Sequence, residues 1–525
     1  MKFDDVIVGA GSAGCVLANR LSADPARQVC LLEAGPCDWS PLIHIPAGLL
    51  GMLPTRHMNW HYYTERQPGL GGRRGYQPRG RTLGGSSSIN AMIYIRGHRL
   101  DYDDWAALGN NGWSWAEVLP FFRRSEDQQR GADEYHGTGG ELAVSDPASP
   151  VPASLAFVEA AIACGLRANP DFNGAEQDGA GLYQVTQRNG RRCSAAVAFL
   201  RPVRQRPNLT VLTGRQVQQI VWHGSRATGV RVAGPGGTAL IEARREVVLA
   251  AGAFGSPQLL LLSGIGGREE LARHGLELRH ELPGVGQGLT DHVDLPLLYR
   301  SDDPRLLGTT LRSALRAIPG LFEWYWRGTG MLTTNYAEAG AFLRTRPGLD
   351  RPDVQLHFVN GLADSHGRRI HSFPGFSVHV TVLRPASRGS VGLRSADPRE
   401  PPRIDPAFLT AAADLATLLE GVKFAQRIVA TEPLARYRRA ELYPSGAADD
   451  ELIARIRRHA DTIYHPTGTC RMGRDELAVV DPELRLRGFD NLSVVDASVM
   501  PRLVGGNTNA PVIMIAENAA ARLAA

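Results

Sequence analysis

The sequence predicts an α/β protein in which a domain built on a parallel sheet is joined to a discontinuous α+β domain, an antiparallel sheet covered by helices. Three observations lead to this prediction. An apolar strand at residues 6–8 runs into a glycine-rich turn and then a helix. Between residues 293 and 461, β-type runs such as 354–358 alternate with helical stretches such as 412–428. Finally, 525 residues are more than a single core usually holds.

The domain limits follow from these changes in pattern. The proline-rich residues 146–152 are typical of a boundary. We assign residues 1–150, 203–292 and 462–525 to the first domain, and residues 151–202 and 293–461 to the second.

The N-terminal motif is Gly9-x-Gly11-x-x-Gly14, placed between the strand and the helix. Gly9 allows a tight turn, Gly11 lets a pyrophosphate approach the backbone, and Gly14 lets the helix pack closely on the strand. A second apolar strand ends at Glu33, about 20 residues further on, where a carboxylate accepts a hydrogen bond from a ribose hydroxyl. This Rossmann-like pattern predicts a bound dinucleotide. The motif alone leaves the dinucleotide open, and a nicotinamide-dependent reductase is one alternative.

The composition argues against several classes of function. Charged residues make up 21% of the chain and the formal charge is only +5, so nucleic acid is not an expected partner. No apolar run reaches the ~18 residues that span a bilayer. The N-terminus enters a strand at once, without room for a signal peptide, and the six cysteines form no C-x-x-C pair. We expect a cytoplasmic protein with reduced thiols and no metal site.

Two internal segments have the composition of cofactor-binding loops. The aromatic segment 58–63 either wraps a cofactor or forms a packed loop. Residues 80–90, Gly-Arg-Thr-Leu-Gly-Gly-Ser-Ser-Ser-Ile-Asn, are too small and polar for the interior of a helix or strand. Small residues let the backbone press against a flat ligand. Arg81 offers a fork of donors to a phosphate or, alternatively, forms a surface ion pair.

The C-terminal part contains the main candidate for a catalytic group. His465 is followed by Pro466, which favours an extended backbone at the histidine. A histidine is suited to taking an alcohol proton near neutral pH, whereas a lone histidine with a structural role is the alternative. Residues 505–511 precede an apolar helix that starts near Pro511, and the N-terminus of this helix can stabilise negative charge such as that of a reduced flavin.

Together these motifs resemble the glucose-methanol-choline (GMC) family of FAD-dependent oxidoreductases, over essentially the whole chain. The ADP site of the family corresponds to residues 9–14 with Glu33, its first signature to residues 80–90 and its second to residues 252–266. Residues 283–292 resemble another shared segment. Residues 464–466 and 507–509 resemble the catalytic His of the family and its Asn or His partner.

Within the family, residues 79–98, 140–146 and 506–518 look like the alcohol dehydrogenases of bacterial alkane degradation, although choline dehydrogenases share much of them. This likeness implies a quinone-type electron acceptor and peripheral binding to the inner face of the inner membrane. Residues 311–327, which mix Arg with Leu, Ile, Phe, Trp and Tyr, fit a membrane surface, with a lid or subunit contact as the alternative. Some family members link the flavin to a histidine where this chain has Ile89, so the resemblance implies non-covalent FAD.

The resemblance also implies a mechanism and a set of site residues. A primary alcohol, aliphatic or aryl-methyl, is oxidised to an aldehyde: His465 takes the hydroxyl proton, Asn509 orients the developing alkoxide, and the α-hydride passes to flavin N5. Tyr464 and Glu338 are candidate substrate contacts, and Glu338 either holds a cation such as choline or is a structural hydrogen-bonding partner. The predicted FAD-binding residues are Gly9, Gly11, Ser12, Ala13, Gly14, Glu33, Ala34, Trp60, Arg81, Leu83, Gly85, Ser86, Asn90, Ala91, Met92, Val217, Asp496, Ala497, Asn507 and Pro511.

Three rival functions stay open at this point. A choline dehydrogenase would be reduced by choline, and an oxidase would release hydrogen peroxide in air. A non-catalytic flavoprotein would need His465 or Asn509 to be displaced from the flavin, and both motifs are intact. The sequence favours an FAD-dependent alcohol dehydrogenase.

Overall fold

The computed structural model describes residues 1–308, 311–444, 446 and 448–524, and no side chain of residues 311–317. Its helices are α1 (Ser12–Leu21), α2 (Pro41–His44), α3 (Leu49–Met52), α4 (Arg99–Ala107), α5 (Trp115–Ser125), α6 (Pro152–Ala163), α7 (Gly252–Leu262), α8 (Arg268–Arg273), α9 (Leu311–Arg327), α10 (Ala412–Ala430), α11 (Asp449–His459) and α12 (Asn509–Ala524). Its strands are β1 (Lys2–Val8), β2 (Val29–Leu32), β3 (Tyr62–Gln67), β4 (Arg73–Gln77), β5 (Glu126–Gln128), β6 (Leu142–Val144), β7 (Gly179–Leu182), β8 (Gln187–Arg188), β9 (Arg191–Arg192), β10 (Leu209–Leu212), β11 (Gln216–His223), β12 (Arg226–Gly234), β13 (Gly237–Leu249), β14 (Ile265–Gly266), β15 (His280–Glu281), β16 (Gln287–Leu289), β17 (Val293–Arg300), β18 (Ala337–Leu343), β19 (Val354–Val359), β20 (Gly375–Val382), β21 (Gly389–Gly392), β22 (Arg403–Asp405), β23 (Ala440–Glu441), β24 (Asp461–Thr462) and β25 (Leu492–Val494).

The first large sheet contains the N-terminal strand. Its strands lie in the order β10-β2-β1-β13-β12-β11. β10, β2, β1 and β13 pair in parallel, and β25 joins β13 in parallel, whereas β12 and β11 continue the sheet as an antiparallel meander. The apolar β1 and β2 are buried because α1 packs on them and α12 packs on α1. The predicted parallel-sheet part is therefore confirmed.

The second large sheet is antiparallel, in the order β23-β17-β20-β19-β18-β7, with β24 beside β17. Helices α6 and α10 pack on it and share its apolar core. This is the predicted antiparallel sheet covered by helices, so the fold class inferred from the sequence is confirmed. The exact domain limits stay a prediction.

The two faces of the second sheet have different chemistry, because successive side chains of a strand point to opposite faces. On β19, Val354, Leu356 and Phe358 join the core beneath the helices. Gln355 and His357 alternate with them and are also buried, so they lie on the opposite face. That polar face turns towards the cavity that forms the candidate site.

Candidate active site

A cavity of about 910 Å³ extends from the carboxyl ends of β1, β2 and β13 to the polar face of the second sheet. Its size is within the range of cofactor and ligand sites. The predicted cofactor-binding residues that line it are Gly9, Gly11, Ser12, Glu33, Ala34, Trp60, Arg81, Gly85, Ser86, Asn90, Ala91, Met92, Val217, Asp496, Ala497 and Asn507.

The glycine-rich turn has the geometry that its sequence predicts. Gly9 has a φ of +103°, a conformation that side-chain-bearing residues rarely adopt. A Cβ at Gly14 would lie 1.9 Å from the carbonyl oxygen of Gly9, so only glycine lets α1 start so close to β1. At Gly11 a Cβ would meet nothing within 4 Å, because this residue faces the cavity. The turn therefore leaves room for a ligand at Gly11.

Two helix N-termini meet at this end of the cavity. Ser12 begins α1 and Asn509 begins α12, and the Ser12 hydroxyl donates a hydrogen bond of 2.7 Å to Asn509 Oδ1. No side chain caps the N-terminus of α1. Free N–H groups and the positive ends of helix dipoles attract anions, so this arrangement suits a pyrophosphate.

Glu33 closes the turn at the end of β2. Its carboxylate accepts hydrogen bonds from the backbone N–H groups of Ala10 (3.1 Å) and Gly35 (2.8 Å). Burial raises its pKa to about 7, although these two N–H groups act in the opposite direction. The carboxylate also lines the cavity, where a ribose hydroxyl can reach it.

The aromatic segment and the first signature meet on the same wall. The Arg81 guanidinium lies 4.6 Å from the centre of the Trp60 ring, and both residues line the cavity. A Cβ at Gly85 would come within 2.7 Å of Gly11 Cα, so the two glycine-rich segments touch. The segment 58–63 therefore contributes to the cavity wall, as one of its two interpretations proposed.

Four predicted cofactor-binding residues do not line the cavity: Ala13, Gly14, Leu83 and Pro511. Ala13 and Gly14 are buried in the first turn of α1, behind Ser12. Leu83 packs in the core of the first sheet. Pro511 is buried in the first turn of α12. These residues shape the turns that hold a ligand rather than contacting it with their side chains.

The backbone around His465 is held by the segment that enters β17. β24 pairs with the start of β17, and Thr467 exchanges backbone hydrogen bonds with Thr290. The Asp291 carboxylate accepts a hydrogen bond of 2.8 Å from the N–H of His465. It also accepts hydrogen bonds from the side chains of Gln77 and Thr462. His465 is thus fixed on both sides, at the cavity wall.

The imidazole of His465 has one partner on each nitrogen. Nδ1 lies 3.0 Å from Nδ1 of His292, and Nε2 lies 3.3 Å from Nδ2 of Asn507. Burial lowers the pKa of His465 well below its usual value, and the nearby His292, His357 and Arg79 lower it further. The ring is therefore neutral near pH 7 and able to accept a proton.

The structure places Asn507, rather than the predicted Asn509, beside the ring of His465. The hydrogen-bonding partner at Nε2 is Asn507, two positions earlier, whereas the Oδ1 of Asn509 is bonded to Ser12. The reason is that Asn509 already belongs to α12, while Asn507 precedes the helix in the extended segment that passes His465. Both asparagines line the cavity.

Glu338 is a structural residue, as its alternative interpretation proposed. Its carboxylate accepts hydrogen bonds from the Val151 N–H (2.8 Å) and from the hydroxyls of Ser154 (2.8 Å) and Thr334 (2.6 Å). It is 1% exposed and does not line the cavity. The prediction that it contacts substrate is therefore not supported.

Tyr464, the other candidate substrate contact, does line the cavity. Its hydroxyl lies 2.5 Å from Nδ1 of His366, whose Nε2 is 3.1 Å from the Asp461 carboxylate. Its carbonyl accepts a hydrogen bond of 2.7 Å from the half-buried Arg79.

Sequence reasoning missed several polar residues of this site. His292 ends a segment that was recognised without a role, and Gln355 and His357 lie on a run that was predicted only to be a strand. The usable signal was the alternation of polar and apolar residues along β19, which marks a second buried face.

The cavity lining mixes apolar residues with basic ones, among them Arg56, His366, Arg369 and His371. Its apolar residues include Leu53, Leu307, Val359, Leu362 and Phe373. Among the described residues, the acidic ones that line the cavity are Glu33, Glu400 and Asp496, which accompany the predicted dinucleotide contacts. Apart from these three residues, the described part of the lining offers no carboxylate to a cation.

Substitution of Gly14 by Ala should abolish binding of the FAD that the resemblance implies. The new Cβ has to displace the Gly9 carbonyl, an overpacking that costs about 1–3 kcal/mol, so the apoprotein should also lose stability. Flavin content by absorbance and apoprotein melting temperature measure these effects. The matched control is Gly11→Ala, which should lose flavin while the apoprotein melts as the wild type does. Full flavin content in Gly14→Ala would contradict the packing argument.

Comparison with known proteins agrees with this geometry. The GMC oxidoreductase family models match residues 3–294 and 385–516. The chain is 47% identical to "Alcohol dehydrogenase [acceptor]" of Pseudomonas putida over 99% of this chain and 95% of that protein. It is 43% identical to the mitochondrial choline dehydrogenase of Homo sapiens over 99% of this chain and 89% of that protein. A formate oxidase structure from Aspergillus oryzae RIB40, solved to study FAD modification, superposes with a TM-score of 0.91 at 26% identity, covering 99% of this chain and 98% of that one.

The family models cover the strands of the first sheet together with His465 and Asn507, and the full-length relatives also cover the second sheet. The chain belongs to the GMC oxidoreductase family: it is an FAD-dependent flavoprotein that acts on alcohols.

Proposed function

We propose that this protein oxidises primary alcohols, aliphatic or aryl-methyl, to aldehydes and passes the electrons to a quinone-type acceptor. The observation that carries the proposal is the pairing of a buried, neutral His465 with Asn507 at the cavity wall. The oxidation of a hydroxyl group requires a base and a hydrogen-bond donor that both reach the substrate oxygen.

The residues at the glycine-rich end fit FAD. The paired N-termini of α1 and α12 suit its pyrophosphate, and Glu33 suits its adenosine ribose. When bound, FAD supplies the acceptor for the hydride of the alcohol. Ile89 lines the cavity and has no nucleophilic atom, which supports non-covalent binding.

His465 acts as the base in this proposal. Its Nε2 takes the hydroxyl proton of the alcohol, while Nδ1 stays bonded to His292. Binding of the alcohol breaks the contact between Nε2 and Asn507 Nδ2, and Asn507 Nδ2 then donates a hydrogen bond to the alcohol oxygen as negative charge develops on it. We therefore assign to Asn507 the role that the sequence had suggested for Asn509, and we infer that Asn509 and Ser12 hold the end of α12 near the cofactor.

The substrate class follows from the apolar part of the cavity lining. An apolar chain or ring gains free energy when it is buried against leucine, valine and phenylalanine side chains. A quaternary ammonium group would lack a carboxylate there, since Glu338 is engaged elsewhere. This supports apolar alcohols over choline, despite the similarity to a choline dehydrogenase.

Hexanol and benzyl alcohol should each bleach the visible absorbance of the oxidised flavin rapidly in an anaerobic stopped-flow experiment, and choline should not. Bleaching by choline alone would contradict the proposed substrate class. If hydrogen peroxide is released in air at the rate of alcohol oxidation, the acceptor is O₂ and the proposal of a quinone-type acceptor is wrong. If FAD is bound but none of the three reduces it, the proposed substrates are wrong.

Removal of Asn507 should slow flavin reduction more than removal of Asn509. Asn507→Ala loses the donor at the reacting oxygen, an effect of about 10²–10³ in rate by analogy with oxyanion-hole donors. Asn509→Ala should mainly lower FAD affinity, and reduction at saturating FAD should stay within about tenfold of the wild type. His465→Ala, with FAD still bound, should show the largest loss. Equal rate losses in the two asparagine variants would contradict the assignment of Asn507.

The proposed acceptor implies contact with a membrane, because quinones are apolar. No helix of the described residues is long and apolar enough to cross a bilayer. Helix α9 instead exposes Ile318, Leu321, Phe322, Tyr325 and Trp326, whose spacing places them on one helix face. Exposed apolar surface of this kind supports docking on the bilayer.

The same side of the molecule carries the cavity rim. The turn at residues 46–48, next to α3, packs against residues 331–333, which pack against α9. Leu50 and Ile370 line the cavity and are also exposed, and Arg56 and Arg369 accompany them. We propose that this basic, apolar rim faces anionic lipid and that α9 anchors it.

Vesicles of phosphatidylethanolamine and phosphatidylglycerol that contain ubiquinone should bind the holoenzyme in a flotation assay and reoxidise its reduced flavin. Phe322→Glu combined with Trp326→Glu should abolish flotation, while reduction by alcohol stays unchanged. Leu477→Glu, which alters an exposed leucine outside the face of α9, is the control and should float normally. Normal flotation of the double variant would contradict the docking proposal.

A further inference from the structure

We propose that His292 and Gln355 are positioning residues that hold His465 in one tautomer, with its proton on Nδ1 and its lone pair on Nε2 towards the substrate. This inference deepens the proposed function and rests on it for its catalytic meaning. It is carried by a chain of six hydrogen bonds that ends at two backbone carbonyls, which can only accept.

The first end of the chain is the carbonyl of Leu383. Nε2 of His292 lies 3.0 Å from this oxygen, so Nε2 must carry the proton of the neutral ring. Nδ1 of His292 then has a lone pair and accepts. Since Nδ1 of His465 is 3.0 Å away from it, the donor in this contact is Nδ1–H of His465. Nε2 of His465 is left without a proton.

The second end is the carbonyl of Leu356 and leads independently to the same result. The Tyr183 hydroxyl donates to this oxygen at 2.7 Å and so presents a lone pair to Nε2 of Gln355, 3.1 Å away. The amide of Gln355 uses its second N–H on Asn507 Oδ1, at 3.2 Å. Asn507 therefore turns Nδ2 towards His465, and an N–H donor requires a lone pair on Nε2.

The opposite tautomer would break contacts at both ends of the ring. It would oppose two lone pairs between His465 and His292, and two N–H groups between His465 and Asn507. Unpaired buried polar groups are costly, and His292, Tyr183 and Gln355 are buried away from water. The chain thus selects the tautomer that can act as a base.

The charged groups around the two histidines do not decide where the proton lies, so the chain of hydrogen bonds is the main determinant of the tautomer. The titratable and charged groups that face the two histidines are Arg79, Asp101, Asp291, His357 and Arg384. Asp291 bonds the backbone of His465 rather than its ring, and burial lowers the pKa of His292 to about 4, so this ring stays neutral and accepting. A proton taken up at Nε2 of His465 cannot pass on through His292, because that branch ends at a carbonyl.

The direct test is nitrogen-15 NMR of the wild-type holoenzyme labelled in its histidines, with His465 identified by its loss in His465→Gln. We expect the shift of a protonated Nδ1 and an unprotonated Nε2 near pH 7. A protonated Nε2 would overturn the inference. This readout does not depend on turnover, so it decides the inference even if no alcohol reduces the flavin, an outcome that would refute the proposed function alone.

Variants test the effect on catalysis. His292→Leu and Gln355→Met each remove one anchor and should lower the limiting rate of flavin reduction at least about tenfold, with little change in the apparent Kd of the alcohol. His292→Gln keeps one donor and one acceptor and should recover to within about threefold of the wild type. The control His280→Leu removes a histidine bonded to the carbonyl of Arg487 and should be unaffected. Wild-type rates in both His292→Leu and Gln355→Met would overturn the inference.

Discussion

The hydrogen bond between the Nδ1 atoms of His292 and His465 is the contact on which the account of this site depends. The other nitrogen of His292 is bonded to a backbone carbonyl, whereas the ring of His465 faces the cavity. Two adjacent residues hold His465: Asp291 bonds its backbone N–H and His292 bonds its side chain. The proposed base is therefore positioned in both location and protonation by the two residues that directly precede β17.

The fold explains why such a polar group of side chains can exist in the interior. The apolar residues of the second sheet pack in the core shared with α6 and α10, and the residues that alternate with them form a buried polar face. Gln355 and His357 come from this face, and the first sheet contributes the glycine-rich turn opposite. Because each sheet supplies one part of the cavity, the cofactor and the substrate can be bound by different elements and meet at His465.

Much of the fold and part of the site could be predicted from the sequence. The strand-turn-helix around Gly9 and the end of β2 at Glu33 are local patterns, and local patterns are where residue type alone constrains the backbone. The choice between Asn507 and Asn509 could not be made this way. It depends on where α12 begins relative to His465, which is set by packing and by the bond from Ser12. His292 and Gln355 were missed because their partners lie far away in the sequence. The structural role of Glu338 depends on three hydrogen-bond donors, and the sequence alone does not show that they lie close to its carboxylate.

The most direct test of this account is a crystal structure of the FAD-bound enzyme with a tertiary alcohol, which has the hydroxyl group of a substrate but no α-hydrogen to transfer. The hydroxyl oxygen should lie within hydrogen-bonding distance of both Nε2 of His465 and Nδ2 of Asn507, with the Nδ1 contact to His292 retained. A hydroxyl bound at Asn509, or a His465 ring turned away from His292, would contradict this account.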